Sequence, residues 1–281
     1  MNKTKFKITR LDIIILLSIL FLSALAILCY FFVDTPLFEI TKIAPLKRHL
    51  NPWQDAFRQL GKTWLVIWLL LVWGWLSNKP RVLLMGILAL LILAPFVGSL
   101  KGLHHRTRPK DVIKAPARAA TGDYKLRSSS FPSGDTANCF AVAVILSSCI
   151  GGLWPIPLFA TAAAIGVLRV TALAHYPSDA LAGAAIGILC GWIALHLARK
   201  WPQIADAKQF TATARDKIGI AIIAILPFVS LIERVNPIFM FLKKFGLLLI
   251  LLLILYKKND IRTWLKKMPL NGIIKPPPPT L

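Results

Sequence analysis

Three short polar clusters interrupt an otherwise apolar chain, and their side chains are of the kinds that hold and attack a phosphate. The first is KGLHHRTRP, Lys101 to Pro109, in which Lys101 and Arg108 stand seven residues apart. That is nearly two helical turns, so a helical backbone would aim both cations to the same side. Pro109 disfavours helix at Arg108 and marks an exit of the chain. An ammonium point charge and a guanidinium fork converging on one spot suit a phosphate. The second cluster is FPSGD, where Pro132, Ser133 and Gly134 precede an apolar run that opens with Asp135. The unpaired N–H groups of a helix's first turn attract anions, glycine lets a ligand oxygen approach the backbone, and Ser133 adds a hydroxyl donor. A simple N-cap at Ser133 or Asp135 would use the same residue types. The third cluster, RVTALAHYPSD, contains Arg169, His175 and Asp179. Imidazole is a nucleophile or base near neutral pH when a carboxylate orients its other nitrogen, and a nearby arginine can hold the oxyanion it attacks.

Singly, each cluster has an ordinary explanation in snorkelling basics, a helix cap or a loop histidine. Their combination at one surface describes phosphoryl transfer with no metal or other cofactor. What must position them is a set of membrane helices. The chain has 281 residues, 56% of them hydrophobic, and a mean hydropathy of +0.65, which is the balance of an integral membrane protein. Six apolar stretches are predicted to span: Leu11–Val33, Leu60–Leu76, Val82–Leu100, Asp135–Ile150, Leu153–Val170 and Asp179–Ala198. Two weaker ones follow, Ile218–Ile232 and Pro237–Tyr256, the second carrying Lys243 and Lys244. The expected fold is therefore all-α. A polytopic helix bundle has its six-helix core in residues 1–200, and a hydrophobic extension with one or two further helices and a basic, Pro-rich tail occupies 201–281. Gly183, Gly187 and Gly191, four apart on one side of the sixth span, predict close helix packing. The four cysteines lie in apolar runs without metal-ligand or disulfide spacing and read as small fillers. The first span is longer than a signal-peptide core and lacks a clear cleavage site, so an uncleaved signal anchor is expected.

The formal net charge is +22, from 34 Lys and Arg against 12 Asp and Glu. The basic residues flank apolar segments, which points to topology marking and anionic lipid headgroups, not nucleic acid. Placing the amino end, Lys79, Arg81, Arg199, Lys200 and the tail in the cytoplasm satisfies the positive-inside rule. The Lys101–Pro132 and Arg169–Ser178 loops, and with them all three clusters, then share the opposite, extracytoplasmic face. A bacterial inner membrane is the expected location. A transport pathway would instead place charge at mid-membrane depth.

In order and spacing, Lys101-x6-Arg108-Pro109, Pro132-Ser133-Gly134 and Arg169-x5-His175-x3-Asp179 resemble the three-part signature of the type 2 phosphatidic acid phosphatase superfamily, over about residues 82–198. The resemblance implies a six-helix core that hydrolyses phosphate esters or diphosphates through a phosphohistidine at His175, with Asp179 orienting the ring. It also implies that Lys101, Arg108, Ser133, Gly134 and Arg169 hold the phosphate oxygens. The expected activity is that of a lipid phosphatase. Candidate substrates are an isoprenoid diphosphate, phosphatidic acid or phosphatidylglycerol phosphate, or a lipid A phosphate. Transfer to a second lipid's hydroxyl, or lipid binding without turnover, are the alternatives. The sequence does not indicate an oligomeric state.

One position departs from the signature. Where the family typically has a histidine that protonates the leaving group, this chain has Asp135. Asp135 is itself the acid if burial keeps it protonated, though neighbouring cations oppose that. Alternatively, the leaving group of a diphosphate needs little protonation. A third reading has His104 or His105 substitute, or turnover lost.

Overall fold

The computed structural model describes residues 9–43, 52–113 and 129–200, together with Gly219. The chain divides into two compact units, Met1–Leu226 and Pro227–Leu281. The second unit lies outside the described residues, as do both weaker apolar stretches apart from Gly219.

Each of the six predicted spans is a helix, with ends shifted by at most four residues. In chain order they are α1 (Arg10–Phe32), α4 (Thr63–Ser77), α5 (Pro80–His104), α6 (Gly134–Ile150), α7 (Pro155–Thr171) and α8 (Pro177–Lys200). Two short helices that the hydropathy pattern did not predict lie between the first two spans, α2 (Asp34–Ile43) and α3 (Pro52–Gln59). Among the described residues every regular element is a helix, and the protein is an all-α membrane bundle. Helices α1, α5 and α8 are long and apolar enough to cross a bilayer; the 23 residues of α1 extend about 34 Å. The other three run 15 to 17 residues.

The local sequence sets where these helices begin and end. Thr9 caps α1 in a reciprocal box with Asp12, which satisfies amide donors that lipid could not. Pro80 and Pro155 open α5 and α7, where a missing N–H costs nothing. Asn78 and His105 end α4 and α5 in the left-handed region. α1 is largely exposed along its length, with Phe21, Phe31 and Phe32 facing outward, as a lipid-facing helix is. α8 is buried along one side against α1, α5 and α6, and the core between them is built from Leu70, Met85, Leu93, Ile145, Ile188 and Leu195 among others.

The predicted glycine stripe of α8 lies against the backbone of α6. A Cβ on Gly183 would collide with the carbonyl of Ser133, and one on Gly187 with that of Ala137. At Gly191 it would lie 2.9 Å from the Ala141 oxygen. Positions 183, 187 and 191 thus meet 133, 137 and 141, one turn apart on each helix. At the far end of the bundle, Asp12 of α1 accepts from the Trp192 indole at 2.9 Å and lies 3.3 Å from the His196 ring. These contacts fix α1 and α6 lengthwise along α8.

Gly187→Ala should lower thermal stability in detergent by about 2 kcal/mol, because backbone must shift to admit the methyl. Gly98→Ala, where nothing lies within 4 Å of the added carbon, should cause no loss. Equal melting temperatures for the two variants would remove the seam from the account.

Candidate functional site

The ends of α5, α6, α7 and α8 that carry the three clusters come together at one end of the bundle. Backbone hydrogen bonds staple the clusters to one another. The Ser130 N–H donates to the Arg106 carbonyl at 2.6 Å, Ser133 N–H to the Asp179 carbonyl at 3.0 Å, and Lys110 N–H to the Leu173 carbonyl at 2.9 Å. Segments separated by tens of residues in sequence are therefore held in one register by main chain, independent of any side chain's charge.

His175 is 2% exposed. Its Nδ1 lies 2.7 Å from the Ser130 carbonyl oxygen and 3.8 Å from Asp179 Oδ2. A carbonyl can only accept, so Nδ1 carries the proton and donates it to Ser130. Nε2 is then the nitrogen with the lone pair, and it faces Arg169 Nη2 at 3.5 Å. Burial pushes the imidazole below its ordinary value near 6.5; Arg169 and Arg108 push the same way, and Asp179 opposes them. The ring is consequently neutral at pH 7, with its lone-pair nitrogen beside a guanidinium.

Arg169, at the last turn of α7, is itself buried, and its Nη1 lies 3.0 Å from Asp135 Oδ2 in the first turn of α6. Lys101 and Arg108 complete the cationic group: Lys101 is close enough to Arg108, Asp135, Arg169 and Asp179 for each to act on its charge, and Arg108 acts on both Lys101 and His175. Ser133 is fully buried, and its hydroxyl pairs with that of Thr136 at 2.8 Å. Gly134 is half-buried, and a Cβ there would touch only Val97, at 3.6 Å. Packing does not require that glycine, so an approachable backbone at the helix start is the better account of it. His104 meets Phe131 edge to face with ring centroids 4.9 Å apart, and His105 is exposed at the helix end.

Asp179 is fully buried. Its Oδ2 accepts from the Tyr176 N–H at 2.8 Å and from the Ser130 hydroxyl, and its Oδ1 from Arg106 Nη1 at 2.8 Å. Ser130, Arg106 and Asp34 were not singled out by sequence reasoning. Ser130 is one of three consecutive serines, and Arg106 one of several basics before the Arg-Pro pair. Asp34 lies in α2, where its carboxylate binds Arg106 Nη2 at 2.7 Å and accepts from both the backbone N–H (3.1 Å) and the hydroxyl of Ser178. An acidic residue directly after an apolar span was the available signal for Asp34.

A family model described as the PAP2 superfamily matches residues 82–203. The structure of LpxE from Aquifex aeolicus is 30% identical, with a TM-score of 0.47, over 58% of this chain and 95% of that one. A transmembrane PAP2-type phosphatidylglycerolphosphate phosphatase from Bacillus subtilis is 20% identical, with a TM-score of 0.46, over 66% of this chain and 96% of that one. No curated protein matches the chain at significance.

The depressed affinity of folded His175 for protons has a stability consequence. As pH falls through about 6.5, the unfolded chain takes up a proton that the folded ring still refuses, so stability is lost on acidification until the folded ring also titrates. Between pH 7.5 and 5, the wild type should lose more melting temperature than His175→Gln. Parallel curves would contradict the inferred state of the ring.

Proposed function

The chain belongs to the PAP2 superfamily, and from that premise we propose that it is a membrane lipid phosphatase whose nucleophile is His175. The observation that carries this reading is the tautomer: the Ser130 carbonyl holds the Nδ1 proton, leaving the Nε2 lone pair directed at Arg169 beside the start of α6. Lys101, Arg108 and Arg169 surround the phosphate with positive charge, and the free amides of α6's first turn, beginning at Gly134, donate to its oxygens beside Ser133, whose own N–H is held by the Asp179 carbonyl. Nε2 attacks phosphorus as the bond to the leaving oxygen breaks, and that oxygen departs with the electron pair. Water then attacks the phosphohistidine, and the N–P bond breaks to restore the lone pair on Nε2. The active site faces the extracytoplasmic side of the membrane, bacterial and inner, with the basic ends of α1, α5 and α8 on the opposite side.

Asp135 bears on the substrate class. Its carboxylate is engaged by Arg169 at 3.0 Å, and a carboxylate in that contact offers the reaction a base and not a proton. A leaving group that needs no protonation fits such a site, and the lipid monophosphate released from a lipid diphosphate is one. In the second step Asp135 accepts the proton from the attacking water. The preferred substrate is therefore a lipid diphosphate.

Purified protein in detergent, offered a panel of lipid mono- and diphosphates, should release inorganic phosphate, and faster from the diphosphates. Release from none of them would overturn the phosphatase reading; faster release from the monophosphates would overturn the diphosphate preference alone. His175→Ala should lower turnover about 10³-fold or more, and undiminished release would exclude this nucleophile. Asp135→Asn should slow the second step about 10²-fold, seen in rapid quench as accumulating phosphoenzyme. An unchanged phosphoenzyme level would take Asp135 out of the hydrolytic step. Turnover should persist in EDTA, since the three cations supply the charge.

A further inference from the structure

Arg106, two residues before Arg108, binds two carboxylates and a serine hydroxyl from elements distant in sequence. Its Nη1 donates to Asp179 Oδ1 and to the Ser178 hydroxyl, both at 2.8 Å, and its Nη2 to Asp34 Oδ2 at 2.7 Å. The guanidinium lies 3.8 Å from the centroid of Tyr176 and 4.8 Å from that of Tyr30. It is thus held by two aromatic rings and two carboxylates, one from α2 and one from α8. Both carboxylates are essentially removed from solvent, at 1% and 0% exposure, where an unpaired charge costs several kcal/mol. One cation serves two anions.

We propose that Arg106 and Asp34 form a positioning pair that apportions the charge of Asp179, and so sets how strongly Asp179 stabilises a positive ring at His175. This rests on the reading of His175 as the nucleophile. With Oδ1 taken by Arg106, and Oδ2 by the Tyr176 amide and the Ser130 hydroxyl, Asp179 does not draw the imidazole proton to itself. It stands 3.8 Å from Nδ1 and acts through space. Arg106 withdraws charge from Asp179, and Asp34 withdraws charge from Arg106. The attack makes the ring cationic, so this balance favours a neutral nucleophile before the step while keeping an anion behind the ring during it. Neither residue touches the phosphate.

The test is the titration of the His175 ring, followed by NMR of protein labelled at histidine and assigned by loss of its signal in His175→Ala. Asp34→Asn keeps the shape at Ser178 but leaves Arg106 wholly to Asp179, so the ring pKa should fall. In the double variant Arg106→Met with Asp34→Asn, Asp179 is released toward the ring, and the pKa should rise by about one unit above that of Asp34→Asn. The other charges facing the ring are Arg169 from α7, with Asp135 of α6 paired to it, Lys101 from α5, and Arg108. They are the same in all variants and cancel from the comparison. Opposite movements support the pair. Coincident titrations, or movement in the same direction, overturn it, because a purely structural role would lower melting temperatures without reversing the sign. The measurement needs no turnover: a wild type that releases no phosphate from any lipid but shows the opposed shifts would defeat the phosphatase reading and leave the pair standing. A wild type that turns over with unmoved titrations would do the reverse.

Discussion

The site depends on how closely two helices can approach. Without side chains at Gly183, Gly187 and Gly191, the backbone of α8 meets the carbonyls of Ser133, Ala137 and Ala141 on α6, and the two helices lock at matching one-turn intervals. This fixes more than their distance. It brings the first turn of α6 level with the first turn of α8, so that Ser133 N–H reaches the Asp179 carbonyl. In lipid, where no hydrophobic force drives helix against helix, such small-residue contacts hold helices together. A slip of one turn along this seam would move the start of α6 by about 5.4 Å relative to His175 and Asp179, and the cradle would no longer exist.

Given that register, the electrostatics follow from the cost of burying charge. Asp12, Asp34 and Asp179 are all buried, and each is engaged by several donors: Thr9 and Trp192 for the first, Arg106 and Ser178 for the second, Arg106, Tyr176 and Ser130 for the third. A membrane protein has little freedom to leave such groups half-paired. Asp179 and Asp135 are arranged unequally, however. Asp179 sits behind the imidazole and is saturated by fixed donors, whereas Asp135 sits in front and is held by Arg169, the same residue that faces Nε2. The first is part of the framework; the second shares its cation with the place an anionic substrate would take.

Much of this was legible in the sequence. The long apolar runs gave the six helices because hydrocarbon forces the backbone to satisfy itself, and the four-residue glycine interval identified the seam. The residues of the three clusters could be grouped because their types converge on one chemistry. What could not be read were relations that depend on the third dimension. Arg106 and Asp34 are 72 residues apart, and one basic residue among several gives no hint that it binds two buried carboxylates. Ser130 contributes through its backbone carbonyl, which no side-chain pattern reports. Helices α2 and α3 are too short and too polar to register as spans, yet α2 begins with the carboxylate that binds Arg106.

The aspartate at 135 makes most sense as part of this packing. The loop before α4 is drawn against the start of α6 by Asn138, whose amide donates to the Gly61 carbonyl at 3.0 Å and to Thr63 at 2.9 Å. Gly61 then approaches so closely that a Cβ on it would lie 2.8 Å from Cβ of Asp135. Backed on that side, the short carboxylate turns to Arg169. An imidazole at this position would be a larger group, and one able to give a proton; the carboxylate instead counters one of the cations that would hold phosphate. The exchange weakens the attraction for any anion, yet a terminal phosphate with its full charge outcompetes a single carboxylate for a bidentate guanidinium. On the proposed reaction, the displaced carboxylate would remain beside phosphorus as a base for water once the phosphohistidine had formed.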